Sequence, residues 1–312
     1  MSCDKSTCSA CDKNGCASHG RLPNETQEQY EARQRLADRM AAIRHKVLVL
    51  SGKGGVGKST VAANLAVSLA LEGHRVGLLD VDIHGPSIPK LMGLESYAAY
   101  AEDGCIVPAE VTANLRVMSI GFMLQDRDTA LIWRGPMKIG VIQQFLRDTE
   151  WGDLDVLVVD CPPGTGDEPL SVAQSLGDAD GAVVVTTPQD VAVSDVRKSV
   201  MFCRRIGLDI LGVVENMSGF VCPHCNQTID IFKRGGGEAM CQDMGVPFLG
   251  RIPLDPEVVQ AGDRGEPFAY LKSKTTAGVA MLEAFAPILA LVGRAGGGGS
   301  SEPCACGHTP AS

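Results

Sequence analysis

Short apolar runs alternate with longer stretches of helical spacing along this chain, and the alternation starts at Val47. The first run, VLVLS, is apolar and rich in β-branched residues, as a strand buried on both faces must be. RVGLLDVD, DVLVVDCPP, GAVVVTTP, ILGVVENM and FLGRIPLD follow, each closing in polar, glycine or proline residues. Stretches long enough for crossover helices separate most of them, the first running from Lys58 to about Glu72. This grammar predicts an α/β fold with a doubly wound, mostly parallel sheet flanked by helices. Ligands in such sheets bind beyond the carboxyl ends of the strands. The residues just after each run are therefore the ones to inspect.

Upstream, the pattern from Asn24 to about Arg44 is helical, with Asn24 as N-cap and Gln27 completing a loose capping box. Residues 1–23 are polar, small and cysteine-rich, without the apolar periodicity that builds a core. Beyond Val292, GRAGGGGSS reads as a flexible linker into a tail with Cys304, Cys306 and His308. The expected organisation is a short cysteine-rich N-terminal extension over 1–23, a connecting helix over 24–44, one large domain over 45–293 and a glycine-rich tail over 294–312.

The length of 312 residues suits one large α/β domain with tails. The net charge of −9 lacks the basic footprint of a general nucleic-acid binder. Met1 to Gly20 has no apolar run of a secretory signal. Ala277 to Val292 is interrupted by Glu283 and Pro287 and falls short of the ~20 apolar residues that span a bilayer. A final helix packed on the sheet is expected there. These features predict a cytoplasmic protein with neither nucleic acid nor membrane as partner. In that compartment the clustered cysteines among the 12 read as metal ligands or redox groups rather than disulfides.

The strongest motif is GKGGVGKS, Gly52 to Ser59, a G-x-x-x-x-G-K-[ST] phosphate loop that follows a strand and opens a helix. Gly52, Lys53, Gly54, Gly55, Val56, Gly57, Lys58, Ser59 and Thr60 are the expected nucleotide-binding residues. The glycines let backbone N–H groups converge on phosphate oxygens, and the helix N-terminus adds its positive end. Lys58 is expected at the β- and γ-phosphates and the Ser59 hydroxyl on Mg²⁺. Asp80 and Asp82 close one strand and Asp160 another, which places carboxylates beside the phosphate loop. Phosphoryl transfer needs a metal, a positioned water and charge stabilisation, and little else from the protein.

The second lysine, Lys53, just after the first glycine, resembles the deviant P-loop class of MinD, ParA and the nitrogenase iron protein. That resemblance implies that Lys53 reaches across a dimer interface to the other subunit's nucleotide. It implies that Asp82 orients the attacking water, that Asp160 acts on Mg²⁺ through a water, and that residues 162–166 sense the γ-phosphate. It also implies that Asn216 hydrogen-bonds adenine; no Asn/Thr-Lys-x-Asp guanine motif is present, so ATP is the expected nucleotide.

Cys222 and Cys225 form C-P-H-C. An iron–sulfur or structural zinc site usually takes four protein ligands, so this pair is half a site. Either the N-terminal cysteines or the same pair of a second chain completes it. The second agrees with Lys53 in asking for a homodimer. A redox-active thiol pair, zinc, or no metal remain alternatives, and His224 is either a further ligand or, as we read it, a bystander. GKGGVGKST, DVDIHGPSIP, WRGPMK, VDCPPGTGDE and CPHC together resemble the Mrp/ApbC family of iron–sulfur carrier ATPases, over about residues 45–290. The resemblance implies ATP hydrolysis, a [4Fe–4S] cluster bridged by Cys222 and Cys225 of two subunits, and its transfer to apo-proteins.

Cys3, Cys8, Cys11 and Cys16, spaced C-x4-C-x2-C-x4-C, are candidates for a second cluster as in the Nbp subgroup. The usual gap there is longer, and zinc is the rival. Cys105, Cys161, Cys203 and Cys241 are expected to be buried packing residues. Two other functions fit the fold. One is a MinD- or ParA-type positioning ATPase, which needs a membrane-binding tail or a basic surface. The other is an electron donor like the nitrogenase iron protein, whose cluster cysteines are far apart in sequence.

Overall fold

The computed structural model describes residues 21, 25–123, 135–222, 224, 225, 227–271 and 275–293. Its main sheet has eight strands: β1 (Ile43–Ser51), β2 (Val76–Asp80), β3 (Ala109–Thr112), β4 (Leu115–Ser119), β5 (Leu154–Asp160), β6 (Gly181–Thr186), β7 (Ile210–Glu215) and β8 (Phe248–Arg251). The order is β8-β7-β6-β1-β5-β2-β4-β3. All neighbours run parallel except β3, which is antiparallel to β4. The doubly wound sheet expected from the sequence is therefore present, with two strands more than the apolar runs suggested. β4 escaped notice because Arg116 interrupts its apolar run. That guanidinium turns to the Trp151 carbonyl at 2.5 Å, and it pairs with Glu110.

The helices longer than four residues are α1 (Gln27–Ala41), α2 (Lys58–Leu71), α3 (Gly135–Asp148), α4 (Asp167–Leu176), α5 (Asp190–Ile206), α6 (Gly236–Met244), α7 (Pro256–Arg264) and α8 (Thr276–Gly293). α2 is buried from Val61 through Ala70. Its alanines let it approach β1, β2 and β5 closely, and each buried Val or Leu there contributes about 1.5–3 kcal/mol. Every residue of β2 and β6 is buried. By length and composition α8 could cross a bilayer, yet Met281, Ala284, Phe285 and Ile288 are buried in the core. This is the packed final helix that the sequence predicts.

Two boundaries differ from the sequence reading. The capping box of α1 is built by Thr26 and Gln29: Thr26 Oγ1 accepts from Gln29 N at 3.2 Å, and Gln29 Oε1 accepts from Thr26 N at 3.0 Å. Gln27 is instead the first helical residue, and Asn24 lies outside the described residues. The helix also stops at Ala41, because Ile43 already pairs with Leu154 of β5. The polar His45 and Lys46 hid this start. Both are tied inward, His45 Nδ1 to Asp180 at 2.9 Å and Lys46 Nζ to the Ile43 carbonyl at 2.9 Å.

A candidate nucleotide site and a cysteine hairpin

The phosphate loop runs from the end of β1 into α2. Gly52 and Gly57 are dictated by close approach rather than by phosphate alone. A Cβ on Gly52 would lie 2.4 Å from the Asp195 backbone, and one on Gly57 (φ +84°) would lie 2.2 Å from Asn216 Nδ2. Asn216 Nδ2 donates to the Val56 carbonyl at 2.9 Å, pinning the loop from below. Gly164 N donates to the Ser51 carbonyl at 2.8 Å and ties the Pro162–Gly166 segment to it. Lys53, Gly54, Gly55, Lys58, Ser59 and Thr60 line a cavity of about 260 Å³ together with Asp82 and Pro163. A second cavity of about 240 Å³ shares Gly57 and Thr60 with it and is lined by Asn216, Met217, Pro253 and Val258. The first suits phosphates and the second a nucleoside. A larger open groove of about 720 Å³ along α5 holds none of the phosphate-loop residues.

Three carboxylates converge on Lys58. Its Nζ is 2.6 Å from Asp160 Oδ1 and 3.7 Å from Asp82 Oδ2, and 3.4 Å from Ser59 Oγ. Burial works against the Lys58 ammonium. Asp160, Asp82 and Asp80 outweigh it, so the pKa lies above the ordinary lysine value. Asp160 is fully buried, and burial raises its pKa against the pull of Lys58. Asp160 Oδ2 and Asp82 Oδ1 are buried without a hydrogen-bond partner among the described residues. Ser59 lies beside Asp160. Two orphaned carboxylate oxygens and a hydroxyl fit a hydrated Mg²⁺ on a triphosphate.

Asp80 has a different task. Oδ1 accepts from Asp82 N at 3.0 Å, and Oδ2 accepts from Ser119 Oγ at 2.9 Å and Ile88 N at 3.3 Å. It therefore shapes the turn that presents Asp82. Burial, then the Asp160 charge, push its pKa up to about 8 from 3.8. Between those two values the folded protein holds a proton that the unfolded chain releases. Stability therefore falls as pH rises through that window. In Asp80→Asn this contribution is absent. The stability gap between wild type and variant, followed by chemical denaturation from pH 5 to 9, is expected to drift against wild type up to about pH 8 and then level off. A gap independent of pH would refute the assignment.

A linkage that the sequence reading missed joins the segments that follow Asp82 and Asp160. Lys138 of α3 sits with Nζ 2.7 Å from His84 Nε2 and 3.0 Å from Glu168 Oε1. His84 follows Asp82, and Glu168 opens α4 after the Pro162–Gly166 segment. The Lys138 contact holds Glu168 ionised by lowering its pKa. Lys138 is the last residue of WRGPMK, so the signal was present but no spacing rule paired it with His84 or Glu168.

Cys222 and Cys225 sit at the tip of a hairpin, Phe220–Val221 against Thr228–Ile229. Cys225 is exposed and Cys222 half-buried. Backbone donors at His224 and then Cys225 lower the Cys222 thiol pKa, which favours the thiolate that a metal needs. Among the described residues no group of three or more His, Cys, Asp or Glu could hold a metal ion. Cys3, Cys8, Cys11, Cys16, Cys304 and Cys306 lie outside the described residues. Cys161, Cys203 and Cys241 are buried as expected, and burial pushes the Cys203 and Cys241 thiols up to about 11. Cys105 differs: it is half-buried, with Sγ 3.5 Å from Arg39 Nη2.

Residues 42–289 match the family described as "ParA: NUBPL iron-transfer P-loop NTPase". The chain belongs to the NUBPL-type iron-transfer P-loop NTPases. An iron–sulfur cluster carrier protein of Methanocaldococcus jannaschii is 49% identical over 261 residues, covering 84% of this chain and 90% of the relative. A protein of the same description from Methanococcus maripaludis is 47% identical over 266 residues, covering 85% and 91%. A nucleotide-binding protein of Archaeoglobus fulgidus, solved with ADP, superposes with a TM-score of 0.68 at 38% identity, covering 76% of this chain and 93% of that one. MinD of Pyrococcus furiosus, at 24% identity and TM-score 0.56 over 80% of this chain and 100% of its own, shares the fold. In this iron-transfer NTPase the family match begins beside Ile43, where β1 begins.

Proposed function

We propose that this NTPase binds and slowly hydrolyses ATP and, as a homodimer, carries a [4Fe–4S] cluster between Cys222 and Cys225 of two copies for transfer to apo-proteins. The observation that carries this reading is the hairpin: two cysteines at an exposed tip, with no further ligand cluster among the described residues. Such a pair is half a cage, and a second copy completes it. The name shared by relatives at 49% and 47% identity supports the same cargo.

In the nucleotide site, backbone amides of Gly54 to Ser59 cradle the phosphates, and the Lys58 ammonium exchanges Asp160 for phosphate oxygens. Ser59 and Asp160 are the residues to hold Mg²⁺, which when bound neutralises phosphate charge. Asp82 Oδ1, buried and without a hydrogen-bond partner among the described residues, is the acceptor that orients the attacking water. Asn216 and the neighbouring cavity take the adenosine. Lys53 is half-buried with no ion pair among the described residues, which leaves it available for the other subunit's nucleotide. Cys3, Cys8, Cys11 and Cys16 are proposed to hold a second cluster.

The test is anaerobic reconstitution with iron and sulfide of a chain lacking residues 1–23, followed by sedimentation and EPR. A dimer with about two iron atoms per chain is expected, as one shared four-iron cluster requires. A strictly single-chain protein that retains no iron in Mg·ATP would overturn the proposal.

A further inference from the structure

Glu215 ends β7 with its side chain fully buried, and the nucleotide chemistry does not use it. A buried carboxylate is costly unless its oxygens are partnered. Here both are. Oε1 accepts from Ser218 Oγ at 2.5 Å and from Gly235 N at 2.8 Å, and Oε2 accepts from Gly237 N at 2.5 Å. Arg251 Nε lies 3.7 Å from Oε1. Gly235 and Gly237 open α6, whose N-terminal end favours an anion.

The location of these donors along the chain gives them meaning. Ser218 lies two residues before the hairpin that carries Cys222 and Cys225, and Gly235 and Gly237 follow it. One carboxylate therefore closes the base of the whole excursion over residues 218–235. The next residue, Asn216, reaches the opposite way and holds the Val56 carbonyl of the phosphate loop. Between Asn216 and Ser218 stands Met217 at φ +55°, a left-handed conformation that non-glycine residues rarely adopt. The upstream limb is also laced to a wall of the nucleoside cavity: Ser218 N donates to the Ile252 carbonyl at 2.9 Å, and Leu254 N to the Gly219 carbonyl at 2.8 Å.

We propose that Glu215 is a positioning residue that couples the nucleotide site to the cysteine hairpin. A shift of the Val56 carbonyl on phosphate binding moves Asn216, and the adjoining Glu215 passes the movement to both ends of the excursion. Its value as a cluster-release switch rests on the carrier reading above; the coupling itself does not.

Hydrogen exchange read by mass spectrometry on the full, iron-free chain tests this, with and without Mg²⁺ and a non-hydrolysable ATP analogue. In wild type, exchange over residues 218–235 is expected to change several-fold on adding the analogue. Glu215→Gln is expected to bind the analogue within a factor of about three of wild type and to lose that response. A merely structural Glu215 would raise exchange equally with and without the analogue, leaving the response intact. That outcome, or a wild type with no response, overturns the proposal. If Glu215→Gln does not fold, Ser218→Ala removes one donor and is expected to weaken the response; an unchanged response there also overturns it. Because no iron is present, failure here leaves the carrier reading standing, and failure of iron retention leaves this coupling standing.

Discussion

Lys58→Ala is expected to lower ATP hydrolysis at least ~100-fold, the scale on which loss of one preorganised charge donor acts in an active site. Two separate effects combine. The variant loses the cation nearest the expected phosphates. It also leaves Asp160, 2.6 Å from the missing ammonium, and Asp82 as buried carboxylates without their counter-charge. Removing one partner of a buried pair costs about 3–5 kcal/mol, less whatever protonation of the carboxylates recovers. The second effect has its own signature. Because burial already pushes Asp160 toward the neutral form, the stability deficit of Lys58→Ala should shrink as pH falls. Hydrolysis assays and thermal denaturation across pH check both parts. Iron loading at the cysteine hairpin should persist, while maturation of iron–sulfur clients in cells should fail. Hydrolysis within a few-fold of wild type would remove Lys58 from the chemistry.

The double variant Cys222→Ser/Cys225→Ser is expected to take bound iron at this site from about two atoms per chain to none. A serine hydroxyl does not supply the thiolate that holds such a cluster. The fold should not suffer. Cys225 is exposed, and the hairpin is held by the Cys222 backbone, whose N–H donates to the Gln227 carbonyl at 2.9 Å. Surface changes of this kind stay within about 0.5 kcal/mol. Nucleotide affinity should also be unchanged, since neither thiol lines the two cavities. Iron and sulfide analysis with EPR, on chains lacking residues 1–23, separates this site from the N-terminal cysteines. Iron retained in full by the double variant would place the cargo elsewhere.

Much of the site is legible in the amino-acid order because its signals are local. A strand, a glycine-rich loop and a helix in immediate succession specify the phosphate loop, and two cysteines three residues apart mark the pair proposed above to hold a shared cluster. Apolar runs closing in polar residues mark the six strands that matter for the site. Where polar side chains interrupt a strand, as Arg116 does in β4 and His45 and Lys46 do in β1, periodicity fails. Arg116 and His45 find partners on distant segments, at Trp151 and Asp180.

What the amino-acid order determined alone is which groups stand at strand ends. The tertiary structure decided what each does there. Asp80 and Asp82 are two residues apart and look alike in sequence. Packing buries Asp80 against Ser119 and Asp160 and turns it into a scaffold for the next turn, while Asp82 lines the cavity and keeps one buried oxygen without a hydrogen-bond partner among the described residues. Likewise Lys138 meets His84 and Glu168, and Glu215 meets Gly235 and Gly237, only because the fold brings separate segments together. Desolvation and charge are summed over everything nearby in space, and the chain order of a residue does not record that sum.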